Sequence, residues 1–239
     1  MSFQSIFEEV FQSNGLSEYV TPDAMLKFQK LTEIMVQKNA VMNITAITTL
    51  EKIIPLHYAD CVKAAAFIPK GAKVLDVGCG GGFPSLPLAI VRPDLHIIGL
   101  DSTEKKVKYV QNAADELGVH MNTIAGRAEE ISRLEKHREA YDVVVSRAVA
   151  RLNVLCELCV PFVNLGGCFL AMKGTAGEEE LYEAKSGIEK LGGKIETVEK
   201  YELLTTDESE SRTMIAVRKV NSTPSQYPRV YGSIKKKPL

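Results

Sequence analysis

Hydrophobic positions change their period near residue 70. Before it, Phe3, Ile6, Phe7, Val10 and Phe11 form one stripe, and Met25, Leu26, Phe28, Leu31, Ile34, Met35 and Val36 a second. Steps of three and four residues predict helices with one buried face. Asn14-Gly15 ends the first helix, and Thr21 followed by Pro22 starts the second as N-cap and first helical residue. A third helix is expected over residues 50–67, carrying His57, Tyr58 and Asp60. From Lys73 onward, short apolar runs alternate with amphipathic segments of helix length. Strands are expected at 73–77, 96–101, 121–125, 141–145, 167–172, 194–203 and 212–219. Helices are expected at 103–117, 131–138, from 149 to about Val163, and at 178–191. This alternation predicts an α/β fold around a parallel sheet with right-handed crossovers. The final two strands lie next to each other across the acidic stretch Asp207-Glu208-Ser209-Glu210, which predicts seven strands with the last antiparallel. Three parts follow: a helical extension (1–68), a sheet domain (69–220) and a basic, aromatic tail (221–239).

The stretch KVLDVGCGGGFPSLPLAI, Lys73 to Ile90, organises the rest. A β-branched run stops at Gly78, Gly80, Gly81 and Gly82, and Pro84 suits the first turn of the helix behind them. A turn of this kind lets a ligand approach the backbone in front of a helix N-terminus. The next strand ends in Asp101, at the ~20-residue offset of a ribose-binding acid. Dinucleotides and S-adenosylmethionine both fit that layout. Asp76, two residues before the first glycine, sits poorly beside a pyrophosphate and well beside the ammonium of a methionine moiety, which favours S-adenosylmethionine over NAD. A ligand-free turn with Asp101 as a helix N-cap is the plain structural alternative.

Composition narrows the field little. With 239 residues, 45% apolar content and a net charge of −1, the chain is an ordinary globular protein. No run approaches the ~18 apolar residues of a membrane span, and the N-terminus lacks a basic-then-apolar signal pattern, so a cytoplasmic location is expected with no membrane partner. Five cysteines (Cys61, Cys79, Cys156, Cys159, Cys168), mostly in apolar segments, read as reduced and buried. Cys156 and Cys159 have no second pair or histidine to complete a zinc set, so no metal site is expected.

Several short motifs acquire meaning together. They are N-I-T at Asn43–Thr45, His57 with Asp60, D-V-G-C-G-G-G-F-P at Asp76–Pro84, G-R-A-E-E at Gly126–Glu130, S-R-A at Ser146–Ala148, M-K-G at Met172–Gly174, Y-P-R at Tyr227–Arg229 and K-K-x-L at Lys236–Leu239. With them the sheet resembles the class I S-adenosylmethionine-dependent methyltransferases, of Rossmann-like fold. Nearly the whole chain is similar to the glucose-inhibited division protein B family, the guanine-N7 methyltransferases of bacterial small-subunit ribosomal RNA. Cys79 and Ser85 depart mildly from the family's usual serine and glycine, and neither removes a turn glycine.

The resemblance implies methyl transfer from S-adenosylmethionine to guanine N7, with small-subunit RNA or the ribosomal subunit as partner. Ligands lie across the carboxyl ends of such strands. There Asp76, Gly78, Gly80, Phe83, Asp101, Ala128, Glu129 and Arg147 are the expected cofactor residues, with Asp101 on the ribose and Ala128 and Glu129 at the adenine edge. Glu129 could equally be a first-turn carboxylate favoured by the helix dipole. Arg147, Lys173 and Arg229 are the expected substrate-positioning residues. Arg147 ends a strand where amine-directed methyltransferases carry an Asp/Asn-Pro-Pro-aromatic motif. Guanine N7 has an in-plane lone pair and no proton, so no general base is required and positioning carries the catalysis. Arg147 fits either the cofactor pocket's rim, the RNA or a structural ion pair. His57 is as readily a packed helix histidine as a base. In the tail, Tyr227, Tyr231, Arg229 and Lys235–Lys237 could stack on bases and meet phosphates, or remain a solvated tail. An NAD-dependent enzyme, a small-molecule methyltransferase and a non-catalytic cofactor- or RNA-binding protein are the competing readings. Oligomeric state is open.

Overall fold

A computed structural model describes residues 1–239, the side chain of Ala40 excepted. Strands β1 (Lys73–Val77), β2 (His96–Asp101), β3 (Met121–Ala125), β4 (Tyr141–Arg147), β5 (Val163–Lys173), β6 (Gly193–Leu204) and β7 (Ser209–Lys219) form one sheet in the order β3-β2-β1-β4-β5-β7-β6. β1 to β5 pair in parallel, while β7 runs antiparallel to both its neighbours. Strand order reverses between β1 and its neighbours β2 and β4, so the carboxyl ends of those strands splay into a crevice.

Side chains alternate across the sheet with the strand period of two. Val74, Val143, Val145 and Leu170 face one layer, made by the N-terminal helices, α4 (Ser85–Val91) and α5 (Glu104–Leu117). Leu75, Val77, Val144 and Phe169 face the other, made by α6 (Ala128–Ile131), α7 (Leu152–Cys159), α8 (Gly177–Lys190) and α9 (Tyr231–Lys236).

The N-terminal helices form as their spacing predicts, except that Leu26 and Val36 of the second stripe face outward and are exposed. α1 (Phe3–Ser13) buries Ile6, Phe7, Val10 and Phe11, and α2 (Pro22–Met42) starts at Thr21, whose hydroxyl accepts the Ala24 amide at 3.1 Å. α3 is composite: α-helix over Leu50–Ile53, π-helix over Ile54–Ala59, α-helix over Asp60–Lys63 and 3-10 helix over Ala64–Phe67. π-Turns tend to occur where a helix presents functional groups, and this one carries His57. An aromatic column ties the layer to the sheet: Phe7 and Phe11 stack at 4.0 Å, Phe11 meets Phe28 edge-on, Phe28 lies 4.8 Å from Tyr58, and Tyr58 reaches Phe83 in the glycine turn. At the end of α1, the buried Asn14 carboxamide donates to the Leu204 carbonyl (2.8 Å) and accepts the Leu204 amide (2.9 Å). In this way α1 grips the end of β6 as a neighbouring strand would.

Three expectations need correction. The helix predicted at 131–138 is instead α6, Ala128–Ile131, followed by turns. Its charged residues hold the C-terminal segment. Arg133 donates to the carbonyls of Gln226 and Pro228, and Arg138 to those of Thr223 and Tyr227. Pro84 stands at the cap of α4 and not inside its first turn. The tail is neither free nor simply solvated. Ile234 is fully buried against the layer of α7 and α8, and Arg229 clasps the fully buried Glu157 with three contacts of 2.6–3.1 Å. Lys235, Lys236 and Lys237 remain exposed.

Candidate active site

The glycine turn is pinned at both ends by backbone hydrogen bonds. The amides of Gly78 and Cys79 donate to the Leu100 carbonyl at 2.8 and 3.0 Å, and the Gly82 amide donates back to Cys79 at 2.7 Å. Gly78 has φ 76°, and a β-carbon there would stand 2.4 Å from a Val149 methyl. At Gly80 a β-carbon would meet nothing nearer than 3.8 Å, which leaves open space over the turn.

Asp101 fixes the turn from β2. Its Oδ2 accepts the Gly80 amide at 3.0 Å and its Oδ1 the Thr103 amide at 2.8 Å. The carboxylate therefore holds the turn that leads into α5, whose N-cap is Thr103 and not Asp101, and lines the cavity at once, each oxygen keeping a lone pair for a ligand hydroxyl. Asp76 lies beneath, completely buried. Its Oδ2 accepts the Ser85 amide at 3.1 Å while Oδ1 has no partner. Burial pushes the Asp76 carboxyl up to about 7, against the Ser85 hydrogen bonds and the Arg147 charge, which lower it.

Over the turn opens a cavity of about 510 Å³ at the carboxyl ends of β1, β2 and β4. Gly78, Gly80, Phe83, Asp101, Ala128, Glu129 and Arg147 all line it, whereas Asp76 forms its foundation without reaching its surface. Lys173 and Arg229 are not among its lining residues. Tyr231, carried there by the clasped tail, joins Ile44, Lys106 and Val149 in the wall, none of which the sequence had marked for the cofactor. Composition leaves the tail aromatics open between base stacking and a solvated tail; only the tertiary course of the tail reveals this position.

Arg147 closes the cavity on the side of α3. Its Nη1 donates to the Leu56 carbonyl (2.7 Å) and to Asp60 (2.9 Å), its Nη2 lies 3.2 Å from His57 Nδ1, and its guanidinium sits 5.5 Å from the centre of the Phe83 ring. A guanidinium only donates, so His57 Nδ1 accepts and Nε2 carries the proton toward Thr45 Oγ1 at 2.8 Å. The imidazole also stacks on Phe83 at 4.6 Å. Burial, then the Arg147 charge, pull the His57 pKa down to about 3. The ring is neutral, with both nitrogens committed.

On the far side of Arg147 lies a second cavity of about 720 Å³, which shares His57, Arg147, Ala148 and Val149 with the first. Ala148 is held at φ 56°, a left-handed conformation that costs a non-glycine residue ~1–2 kcal/mol and turns the chain between the two spaces. Lys173, Glu180, Glu210 and Arg212 line this second space, and Asp60 pairs with both Arg147 and Arg212 at its edge. Glu180 escaped notice because it ends a run of three glutamates resembling a solvated face. Its one sequence signal is the i, i+4, i+8 spacing with Ala184 and Ile188, which puts it on the buried side of α8.

The family profile described as rRNA small subunit methyltransferase G matches residues 24–208. The chain belongs to this family. A relative of that name from Clostridium novyi is 41% identical over 216 residues, spanning 89% of this chain and 88% of the relative. Another, from Brevibacillus brevis, is 40% identical and spans 98% of both chains. Among solved structures, NSun6 from Pyrococcus horikoshii with SFG superposes with a TM-score of 0.56 at 14% identity, over 74% of this chain and 56% of that one. The YcgJ protein from Bacillus subtilis does so at 0.52 and 14%, over 70% of this chain and the whole of the other. These two likenesses concern the fold.

S-Adenosylmethionine is the cofactor of the family, and the first cavity fits it. The glycine cradle leaves room for a ligand against the backbone, Asp101 and Glu129 offer carboxylates to hydroxyl, amine and sulfonium groups, and Val77, Leu100 and Leu158 provide apolar walls. No helix of the structure is long and apolar enough to cross a membrane among the described residues. No cluster of His, Cys, Asp and Glu that could hold a metal is found among them either.

Proposed function

We propose that the protein transfers a methyl group from S-adenosylmethionine to guanine N7 in small-subunit ribosomal RNA, acting in the cytoplasm on RNA or on the assembling subunit. The observation that carries the reading is the character of the wall between the two cavities. Its one imidazole is neutral, buried and engaged at both nitrogens, so nothing there is poised to take a proton. N7 asks for none. An exocyclic amine would, and pyrimidine C5 chemistry would need a thiolate. All five cysteines are buried, with Cys79 beside the cavity pushed well above its usual range by that burial.

When bound, S-adenosylmethionine would supply an electrophilic methyl that the N7 lone pair can accept as the thioether is released, leaving the protein no proton to move. The protein's part is placement. In this reading, the glycine cradle and Asp101 hold the nucleoside end, and Phe83 with Ala148 and Val149 bounds the reacting region. Arg147, locked by Asp60, Leu56 and His57, separates and aligns the two spaces. Orientation of this kind is worth up to ~7–11 kcal/mol. Lys173 serves the second cavity. Arg229, through its clasp on Glu157, fastens the tail and with it Tyr231.

The test supplies radiolabelled-methyl cofactor with unmodified small-subunit RNA, as transcript and as assembled subunit, followed by nucleoside digestion. Label in 7-methylguanosine is expected. Label in any other nucleoside, or none in either RNA form, overturns the reading.

A further inference from the structure

The second cavity contains an ion pair with unspent hydrogen-bonding capacity. Lys173 ends β5 and Glu180 lies in the first turn of α8, with side chains only 8% and 14% exposed. The Lys173 ammonium donates to the Ala150 carbonyl at 2.6 Å, and its nitrogen lies 2.7 Å from Glu180 Oε2 as an ion pair. That same Oε2 accepts the Leu152 amide at 2.8 Å. An ammonium carries three donors and a carboxylate about four acceptor sites. At least one Lys173 donor and the whole of Glu180 Oε1 therefore stay unengaged by the protein, and both residues line the cavity. Burying such a pair gains little stability over apolar residues of similar size, so its position calls for another explanation.

Bases differ in what they present to a donor beside an acceptor. Guanine offers O6 as an acceptor, with N1–H and the N2 amine as adjoining donors. Adenine and cytosine present the reverse order, an amine followed by a bare ring nitrogen. Uracil has O4 and N3–H, but its next group, O2, would face the carboxylate with a second acceptor. Enzymes acting on a single base commonly read its Watson–Crick edge in this way. Guanine's N7 lies next to O6 on the adjoining edge, so a base whose N1–H and N2 amine face Glu180 keeps its N7 lone pair free of that carboxylate.

We propose that Lys173 and Glu180 select the guanine to be methylated: Lys173 donates to O6 while Glu180 accepts from N1–H and the N2 amine. The assignment rests on guanine N7 being the methyl acceptor. A site built to hydrogen-bond a group rejects analogues lacking it far more strongly than an apolar pocket does.

Inosine, which keeps O6 and N1–H and lacks the N2 amine, is the probe. Once the methylated position is mapped, RNA is assembled with guanosine or inosine there, and kcat/KM, RNA affinity and cofactor affinity are measured for the native enzyme, Glu180→Gln and Lys173→Gln. The native enzyme is expected to prefer guanosine by roughly 10- to 100-fold. In Glu180→Gln the amide oxygen can keep the Leu152 and Lys173 contacts, while its NH₂ group opposes the base's donors. Activity on guanosine should fall by a similar factor and the preference should shrink to within about threefold, with cofactor affinity unchanged. Lys173→Gln should slow both RNAs alike. A native preference near one overturns the proposal without reference to any variant, and so does an undiminished preference in Glu180→Gln. A native enzyme that labels no guanine fails earlier, at the functional reading itself.

Discussion

The two cavities share a wall and are built from different materials. The first is mainly backbone: a glycine turn within Val77–Phe83, hydrogen-bonded to Leu100 and Asp101, with carboxylates at strand ends. The second is lined by side-chain charge, with Arg147, Lys173 and Arg212 set against Asp60, Glu180 and Glu210 from three strands and two helices. A backbone cradle suits a ligand whose recognition depends on shape and close approach. A lattice of paired charges suits one recognised by the order of its donors and acceptors. The cofactor side can thus remain constant while the substrate side is respecified, one charged residue at a time.

Removing the hinge between them should have the largest effect. Arg147→Ala leaves Asp60 buried with Arg212 at 3.3 Å and the Tyr201 hydroxyl at 3.5 Å, and deprives His57 of its donor. Loss of one partner from a buried pair costs ~3–5 kcal/mol, and the remaining Arg212 contact puts the expected loss in denaturant melts at about 3 kcal/mol, with methyl transfer abolished. A variant of native stability and activity would show the two cavities to be independent.

Asp76 probes the foundation of the first cavity. Its carboxyl is raised from 3.8 to about 7, so the fold favours the protonated form. Below pH 4 folded and unfolded chains both hold the proton, and the group costs nothing. Between pH 4 and 7 only the unfolded chain releases it, so this contribution falls as pH rises; above 7 the full cost is present. Asp76→Asn should match the native protein near pH 4 and exceed it by on the order of 2–4 kcal/mol at pH 8 in ligand-free urea unfolding. A pH-independent difference would mean that Asp76 is ionised throughout.

Gly78→Ala should have the smallest effect. The left-handed φ costs ~1–2 kcal/mol, and the new methyl displaces Val149 from the rim. Cofactor affinity should weaken by about tenfold in titration calorimetry, and RNA affinity, touched only through the shared Val149, by clearly less. Equal losses for both ligands would show that the cradle serves the second cavity as well.

The same contrast explains what could be read in advance. Glycines at fixed offsets, Asp101 at a strand end and the amphipathic stripes of α1 and α2 are local patterns, and local physics dictates them. The arrangement of Asp60, Arg147, Lys173, Glu180 and Arg212 is tertiary: residues up to some 150 apart in the chain meet only because β4, β5 and β7 are neighbours. Arg147 was visible as a strand-end arginine; its partners were not. Arg229 reads in sequence as a nucleic-acid-facing charge and Arg133 and Arg138 carry no signal of their own; the fold commits the three to Glu157 and to carbonyls of the tail.

The Asn14–Leu204 clasp bears on how the molecule is made. It joins residues 190 positions apart. At a synthesis rate of ~5–20 residues per second, α1 waits on the order of ten to forty seconds before its partner edge exists. During that interval part of its apolar surface has no final covering, and the helical layer can close only after the β6–β7 hairpin arrives. Biogenesis of this protein is therefore a race between completing a distant hairpin and capture of an early, sticky helix.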